Sequence, residues 1–101
     1  MTLQEREARA CAIIDSMAEE LRKVSLYLHD NPELGLDEHK AVNVMNKFLE
    51  NHNFSSQVGL MDLPELQTAL RGDYNGTAQH KIAFLGEYDA LPELGHGCGH
   101  N

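Results

Sequence analysis

Residues 94–101, LGHGCGHN, place two histidines and a cysteine in strict alternation with glycines. Glycine loses more conformational freedom on folding than any other residue, so it is a poor choice for a helix or a strand. Its use here indicates that close approach to a ligand matters more than regular structure. If the stretch is extended, side chains two positions apart point the same way. His96, Cys98 and His100 would then share one face, and the first candidate ligand is a metal ion.

The donor types indicate which metal this would be. A thiolate with imidazole suits zinc, or cobalt or manganese where carboxylates join. Structural zinc sites take four protein ligands, often from paired C-x-x-C elements, which this sequence lacks. Catalytic sites leave one position open for water and collect their ligands from dispersed loops. Cys98 and His100 are therefore predicted metal ligands that make up half a site at most. The alternative is a glycine-rich loop whose histidines and cysteine bind nothing.

Other polar side chains precede this motif or lie within it. Asp89 follows a predicted buried strand, where a carboxylate needs a partner to stay ionised. It either orients a histidine ligand or caps a turn. Glu87 either approaches the metal or forms a salt bridge, and His96 either donates a hydrogen bond near the ligands or is polar filler. The remaining histidines are expected to be exposed and without function: His29, His39, His52 and His80.

Two helices are expected to come first. Thr2 and Glu5 form a capping-box pattern, and apolar residues at helical spacing predict one long amphipathic helix from about residue 3 to residue 28. Asn31-Pro32 ends this helix, because proline removes a backbone donor and restricts the residue before it. A second helix is predicted from about Asp37, as its N-cap, to Asn51.

The pattern then changes to that of strands. Strands are predicted over residues 54–60, 68–74 and 80–87, with Asn75-Gly76 as a hairpin turn before the last one. The apolar run 82–85 is typical of a strand buried on both faces. The fold class is therefore α/β: two N-terminal helices followed by about three strands, the opening part of a layered domain. Ligands of such sheets gather beyond the carboxyl ends of the strands, where Asp89 and the glycine-rich motif follow.

Composition excludes several functions. The 101 residues carry a formal net charge of −8, which disfavours nucleic acid and anionic lipid as partners. No apolar run approaches the roughly 20 residues that span a bilayer, and the opening MTLQEREARA lacks the apolar core of a signal peptide. A cytoplasmic location is therefore expected. Two cysteines form no disulfide framework, and Cys11 is expected in the core on the apolar stripe of the first helix.

Two motifs resemble a known family. Residues 86–101, GEYDALPELGHGCGHN, resemble the metal-binding signature of the aminoacylase and carboxypeptidase-like zinc metallopeptidases. They are most similar to the amidohydrolase branch, which includes p-aminobenzoyl-glutamate hydrolases, indole-acetyl amino acid hydrolases and related dipeptidases. Residues 28–41, LHDNPELGLDEHKA, are similar to the helix-turn-helix opening of the same branch. The resemblance covers essentially the whole chain.

The resemblance implies roles for individual residues. Cys98 and His100 match two ligands of a site for two divalent ions, zinc or else manganese or cobalt. Asp89 matches an aspartate beside the site that orients a ligand, and it is the expected catalytic residue of this chain. Glu87 stands where more distant relatives have a metal-binding histidine. The ending GHN is closer to the dipeptidase and aminobenzoyl-glutamate subgroup than to the hormone-conjugate hydrolases.

The resemblance also implies a reaction. In this family a water bridging two ions attacks an amide carbonyl, and a glutamate serves as general base and then acid. That glutamate, further ligands and a dimerisation domain come after the CGH motif. Residues 1–101 are therefore expected to be the N-terminal portion of a metallopeptidase catalytic domain, inactive alone. The expected substrates are dipeptides or N-acyl amino acids, and full-length relatives are expected to be homodimers.

Two rival functions stay open. One is a non-catalytic interaction or regulatory protein derived from the same fold, which would expose apolar surface for association. The other is a small metal-binding module that zinc would stabilise.

Overall fold

The computed structural model describes all 101 residues. The protein consists of three helices, a two-stranded sheet and a long irregular segment, residues 74–101. The helices are α1 (Leu3–Ser16), α2 (Ala18–Asp30) and α3 (His39–Asn51), and the strands are β1 (Ser55–Val58) and β2 (Leu70–Asp73). Single 3-10 turns occupy Pro64–Leu66 and His96–Cys98. The order of helices before strands confirms the α/β class.

Helix α1 begins with the predicted capping box. The Thr2 hydroxyl accepts the Glu5 N–H at 3.1 Å, and the Glu5 carboxylate accepts the Thr2 N–H at 2.7 Å. No residue of α1 is buried. The prediction that Cys11 lies in the core is therefore wrong: the residue is exposed, because nothing covers the apolar stripe of this helix.

The predicted single helix over residues 3–28 is broken at Met17. Just before the break, the Ser16 hydroxyl donates to the Ile13 carbonyl at 2.6 Å. Such a bond offers the backbone an alternative to the regular ladder and bends helices. Met17 adopts φ −96° and ψ 1°, and its N–H lies between two carbonyls of the preceding turn. A new helix, α2, then continues to Asp30, so the predicted stop before Pro32 is confirmed.

Helix α3 starts at His39 rather than at the predicted Asp37, and its N-terminus is capped from a distance. The Glu33 carboxylate accepts the N–H groups of Lys40 and Ala41 at 2.9 and 2.8 Å. Asp37 instead pairs with the ring of His39 at 2.9 Å. Glu33 therefore caps α3, the role that the sequence pattern attributes to Asp37.

The small core lies where α2 and α3 meet the irregular segment. Its buried apolar residues are Leu28, Ala41, Val42 and Ala90. At the far end of the helix pair, His52 bonds to Glu20 of α2 at 2.9 Å. The expectation that His52 is exposed is therefore wrong, since its side chain is 31% exposed and ties the end of α3 to α2.

The two strands pair antiparallel, from Ser55 opposite Asp73 to Val58 opposite Leu70. They confirm the first two predicted strands, with shorter bounds. The third predicted strand, 80–87, is wrong: the segment has no regular structure, so the Asn75-Gly76 hairpin is not made. Ile82, Phe84 and Leu85 are 83%, 94% and 98% exposed. A strand buried on both faces needs neighbours at its edges and layers above and below, and the single hairpin of this structure supplies neither.

None of the three helices combines the length and the apolar character that crossing a membrane requires.

Candidate metal centre

The last part of the irregular segment, residues 86–101, is held in place first by the turn that follows α2. The Ala90 N–H donates to the Glu33 carbonyl at 2.7 Å, and Leu34 and Ala90 form a parallel bridge. Glu33 thus acts twice, since its carboxylate caps α3 while its carbonyl holds the residue after Asp89. This turn and the segment that carries the predicted site are therefore positioned together.

Two further contacts hold the segment at other points. The Tyr88 hydroxyl donates to the carbonyl of buried Thr68, just before β2. The Asn101 side-chain amide donates to the Ser25 carbonyl and hydroxyl at 3.2 and 3.0 Å. Sequence reasoning missed these anchors, because the partners lie far apart in the chain.

The glycines of the motif have distinct structural reasons. Gly95 and Gly99 adopt φ of 61° and 84°, a region that side chains with a Cβ rarely occupy. Gly95 closes a short antiparallel bridge with Leu91. At Gly97 a Cβ would lie 2.9 Å from Cγ of Leu94. The glycines therefore serve a tight curl of the backbone, and the stretch is not extended, so the condition under which His96, Cys98 and His100 would share one face is not met.

The curl brings His100 between two carboxylates. Its Nδ1 lies 2.8 Å from Oδ1 of Asp89, and its Nε2 lies 3.0 Å from Oε2 of Glu87. One ligand atom from each of the three residues lies within 4.8 Å of the others. The side chains of His100, Asp89 and Glu87 are 34%, 38% and 73% exposed. We call these three residues the 87–89–100 cluster.

The electrostatics of the cluster favour positive charge at its centre. The hydrogen bond to Asp89 raises the pKa of His100 above its usual value, partial burial opposes this, and the negative charges of Glu87 and Asp89 add to it. A divalent cation at this place would meet the same attraction.

The structure places the three predicted site residues differently. Asp89 and His100 come together, with Asp89 beside the histidine as an orienting group would be. Cys98 is exposed, and its thiol lies 3.7 Å from the Asp89 carbonyl oxygen, which it approaches as a donor. The sulfur is not part of the 87–89–100 cluster. Its role as a metal ligand stays a prediction.

His96 is 7% exposed, and its Nδ1 is buried without a hydrogen-bond partner. A buried polar atom without a partner is uncommon and costs free energy.

The donor set of the cluster fits a divalent ion such as zinc. Imidazole nitrogen and carboxylate oxygen are ordinary zinc ligands. The high exposure of Glu87 leaves one side of the cluster accessible to solvent. Asp89 at the second ring nitrogen matches the partner that metal-binding histidines usually have.

Two cavities meet at the cluster. One, of about 480 Å³, is lined by four carboxylates and no lysine, arginine or histidine; the carboxylates belong to Glu38, Glu65, Glu87 and Asp89. We call it the acidic cleft. The other, of about 330 Å³, is a mainly apolar groove between α2 and α3, and Glu87 and His100 form part of its wall. A molecule bound in either cavity would touch the cluster.

Comparison with known proteins identifies hydrolases. No protein-family model matches the chain. It is 37% identical to the Xaa-Arg dipeptidase of Mus musculus over an alignment of 99 positions, which covers 92% of this chain and 23% of that protein. It is 33% identical to the Xaa-Arg dipeptidase of Homo sapiens over an alignment of 102 positions, gaps included, which covers the same two shares.

A third relative is an uncharacterized hydrolase of Staphylococcus haemolyticus, which is 30% identical over an alignment of 89 positions that covers 74% of this chain and 22% of that protein. The chain therefore spans about a quarter of the length of the curated relatives it matches. The resemblance to hydrolases and dipeptidases is confirmed by these names. They do not single out the amidohydrolase branch.

Proposed function

We propose that this chain carries part of the active site of a metal-dependent dipeptidase. The observation that carries the proposal is the 87–89–100 cluster at the meeting point of two cavities, in a chain similar to dipeptidases. When bound, zinc, or else manganese or cobalt, would supply an activated water for attack on an amide carbonyl.

The residues of this chain would act as follows. Nε2 of His100 and the Cys98 thiolate would hold the ion, in keeping with the resemblance. The Asp89 carboxylate would accept the proton on Nδ1 of His100 at the observed 2.8 Å. This bond fixes the tautomer that leaves Nε2 free for the metal and increases the basicity of the ring.

The proposed substrates are dipeptides with a basic C-terminal residue. The names of two relatives specify arginine at that position. The acidic cleft supports this choice, because its four carboxylates would attract a cationic side chain next to the cluster. N-acyl amino acids are the second substrate class, and the cleft favours those with a basic amino acid.

We expect no hydrolysis from these 101 residues alone. The family mechanism needs two ions, further ligands and a glutamate as general base. The chain contains a single cluster of metal-capable side chains, the 87–89–100 cluster. The complete enzyme is proposed to be a homodimer.

A chimeric enzyme tests the proposal. The matching residues of the mouse Xaa-Arg dipeptidase are replaced by this chain, and cooperative thermal unfolding verifies that the product is folded. We expect hydrolysis of dipeptides ending in arginine, weaker hydrolysis of those ending in glutamate, and loss of both in the chimera with His100→Ala. His80→Ala, at an exposed site, is the matched control. A folded chimera without hydrolysis, or full activity after His100→Ala, would refute the proposal.

A second candidate function is non-catalytic association with another protein. It is favoured by the exposure of Ile82, Phe84 and Leu85, three large apolar residues close together in the sequence of the irregular segment.

A further inference from the structure

The role of Glu87 follows from its position at the second nitrogen of His100. Metal-binding histidines use one ring nitrogen for the metal and donate the other to a carboxylate or carbonyl. Asp89 occupies Nδ1, and the adjoining Ala90 N–H is fixed on the Glu33 carbonyl. Nε2 is therefore the nitrogen that faces a metal, and the group already at that nitrogen is the carboxylate of Glu87.

The distance between the two atoms suits joint ligation of one ion. Zinc binds histidine nitrogen at roughly 2.0–2.1 Å and carboxylate oxygen at roughly 2.0–2.2 Å, so two such ligands of a tetrahedral ion lie about 3.4 Å apart. Nε2 of His100 and Oε2 of Glu87 are 3.0 Å apart. A shift of a few tenths of an ångström would admit the ion between them.

Glu87 has no other charged partner. Its carboxylate pairs with no lysine or arginine, and His100 is its one ionic contact. With a side chain that is 73% exposed, it can rotate toward an ion without breaking a packed arrangement. Asp89 differs, since it lies partly buried against the Nδ1 side of the ring.

We propose that Glu87 is a direct ligand that shares one divalent ion with Nε2 of His100. This inference rests on the proposed function, because it concerns the same metal. It assigns Glu87 to metal binding rather than to a salt bridge alone, and it gives the site a carboxylate ligand that comes before the glycine-rich motif in the chain.

Cobalt(II) titration of the 101-residue protein tests the inference, with ligand-field absorption reporting the coordination and competition with zinc giving affinities. Glu87→Gln keeps the size of the side chain and its ability to accept from the ring, but removes the anionic ligand. Glu93→Gln, in the same segment with the same loss of charge, is the matched control. Circular dichroism verifies that each variant is folded.

We expect Glu87→Gln to lower cobalt and zinc affinity by at least about 10-fold, because even groups beside a ligand contribute 10–100-fold. We also expect it to change the ligand-field spectrum, and Glu93→Gln to do neither. Weaker binding with an unchanged spectrum would mean that Glu87 only orients His100, and equal losses in both variants would mean a general charge effect. Either result, or unaltered binding by Glu87→Gln, would overturn this inference and leave the proposed function standing. Absence of metal binding by the unaltered protein would overturn this inference as well, whereas the chimeric enzyme tests the proposed function separately.

Discussion

At the scale of single residues, His100 is the centre of the site and the carboxylates on its two nitrogens have different tasks. Asp89 accepts from Nδ1 at 2.8 Å and touches no metal in the proposed arrangement. In that arrangement it is a positioning residue, whose effect on a bound metal would pass through the imidazole ring.

Replacing Asp89 by asparagine tests this task. Asparagine has nearly the same shape, but its neutral oxygen is a weaker acceptor for the Nδ1 proton. We expect zinc affinity to fall about 10–100-fold, the usual effect of losing such a partner, with the cobalt ligand-field spectrum unchanged. Asp62→Asn, on an exposed loop, is the control. A spectrum altered by Asp89→Asn would show that Asp89 is itself a ligand.

Tyr88 provides a second prediction, through pH. Burial, and after it the negative charge of Glu38, raise the pKa of the Tyr88 phenol above its usual value of 10.0. In the unfolded chain the phenol ionises near pH 10. Between that pH and the higher pKa of the folded state, the unfolded chain holds fewer protons, so the free energy of unfolding falls as pH rises. Below pH 10 this contribution is fully present.

Ultraviolet titration of phenolate absorption measures the effect. One of the three tyrosines is expected to ionise later than a free phenol. Tyr88→Phe should remove this late phase, and Tyr74→Phe, at an exposed site, should leave it. Persistence of the late phase in Tyr88→Phe would contradict the assignment.

At the scale of elements, the turn after α2 connects helix capping to the site. The carboxylate of Glu33 satisfies two N–H groups at the start of α3, while its carbonyl holds Ala90. An anionic acceptor at a helix N-terminus is favourable twice over, through the hydrogen bonds and through the helix dipole. This gives a physical reason for a glutamate in the sequence NPELG.

Glu33→Ala should therefore lower the free energy of unfolding by about 1–2 kcal/mol, the usual cost of a lost cap. Urea unfolding followed by circular dichroism measures this change. Glu7→Ala, on exposed α1, removes the same charge without removing a cap and should change little. Equal effects of the two substitutions would show that Glu33 acts only through the net charge of the chain.

The elements that the sequence predicts well are those determined locally. The capping box at Thr2, the stop before Pro32 and the bounds of β1 and β2 within a few residues follow from nearby residue types. The break at Met17 depends on one hydroxyl hydrogen bond, and the distant cap of α3 on a glutamate outside the helix. The third strand failed because an apolar run becomes a strand only where other strands pair with it.

For the site, the sequence predicted which residue types gather but not how they meet. Asp89 and His100 do come together, as the motif indicates. The approach of Glu87 to Nε2 could not be decided, because the curl made by Gly95 and Gly99 is set by backbone angles that no side-chain pattern shows. The position of the Cys98 thiol depends on the same curl.

At the scale of the whole molecule, the chain is less compact than a globular domain of its length and has a small core. Its radius of gyration is 15.6 Å, against the roughly 13 Å of a compact domain of this length. Six of 101 residues are buried. The segment that contains Ile82, Phe84 and Leu85 is among the exposed parts, and in the second candidate function it is the surface proposed to drive association.

Light scattering tests this property. We expect the 11.3 kDa chain to show a concentration-dependent mass above that of the monomer, and the double substitution Ile82→Ser and Phe84→Ser to lower it. Met61→Ser, at an exposed residue outside this segment, should have no effect. A monomer at all concentrations would show that this surface drives no association.

The cluster at His100 is tested most directly by equilibrium dialysis of the protein against zinc. We predict that the unaltered chain binds zinc, that His100→Ala weakens binding by more than about 100-fold, since even its outer partners contribute 10–100-fold, and that His80→Ala binds as the unaltered chain does. Zinc binding that is absent, or that survives His100→Ala unchanged, would contradict the account.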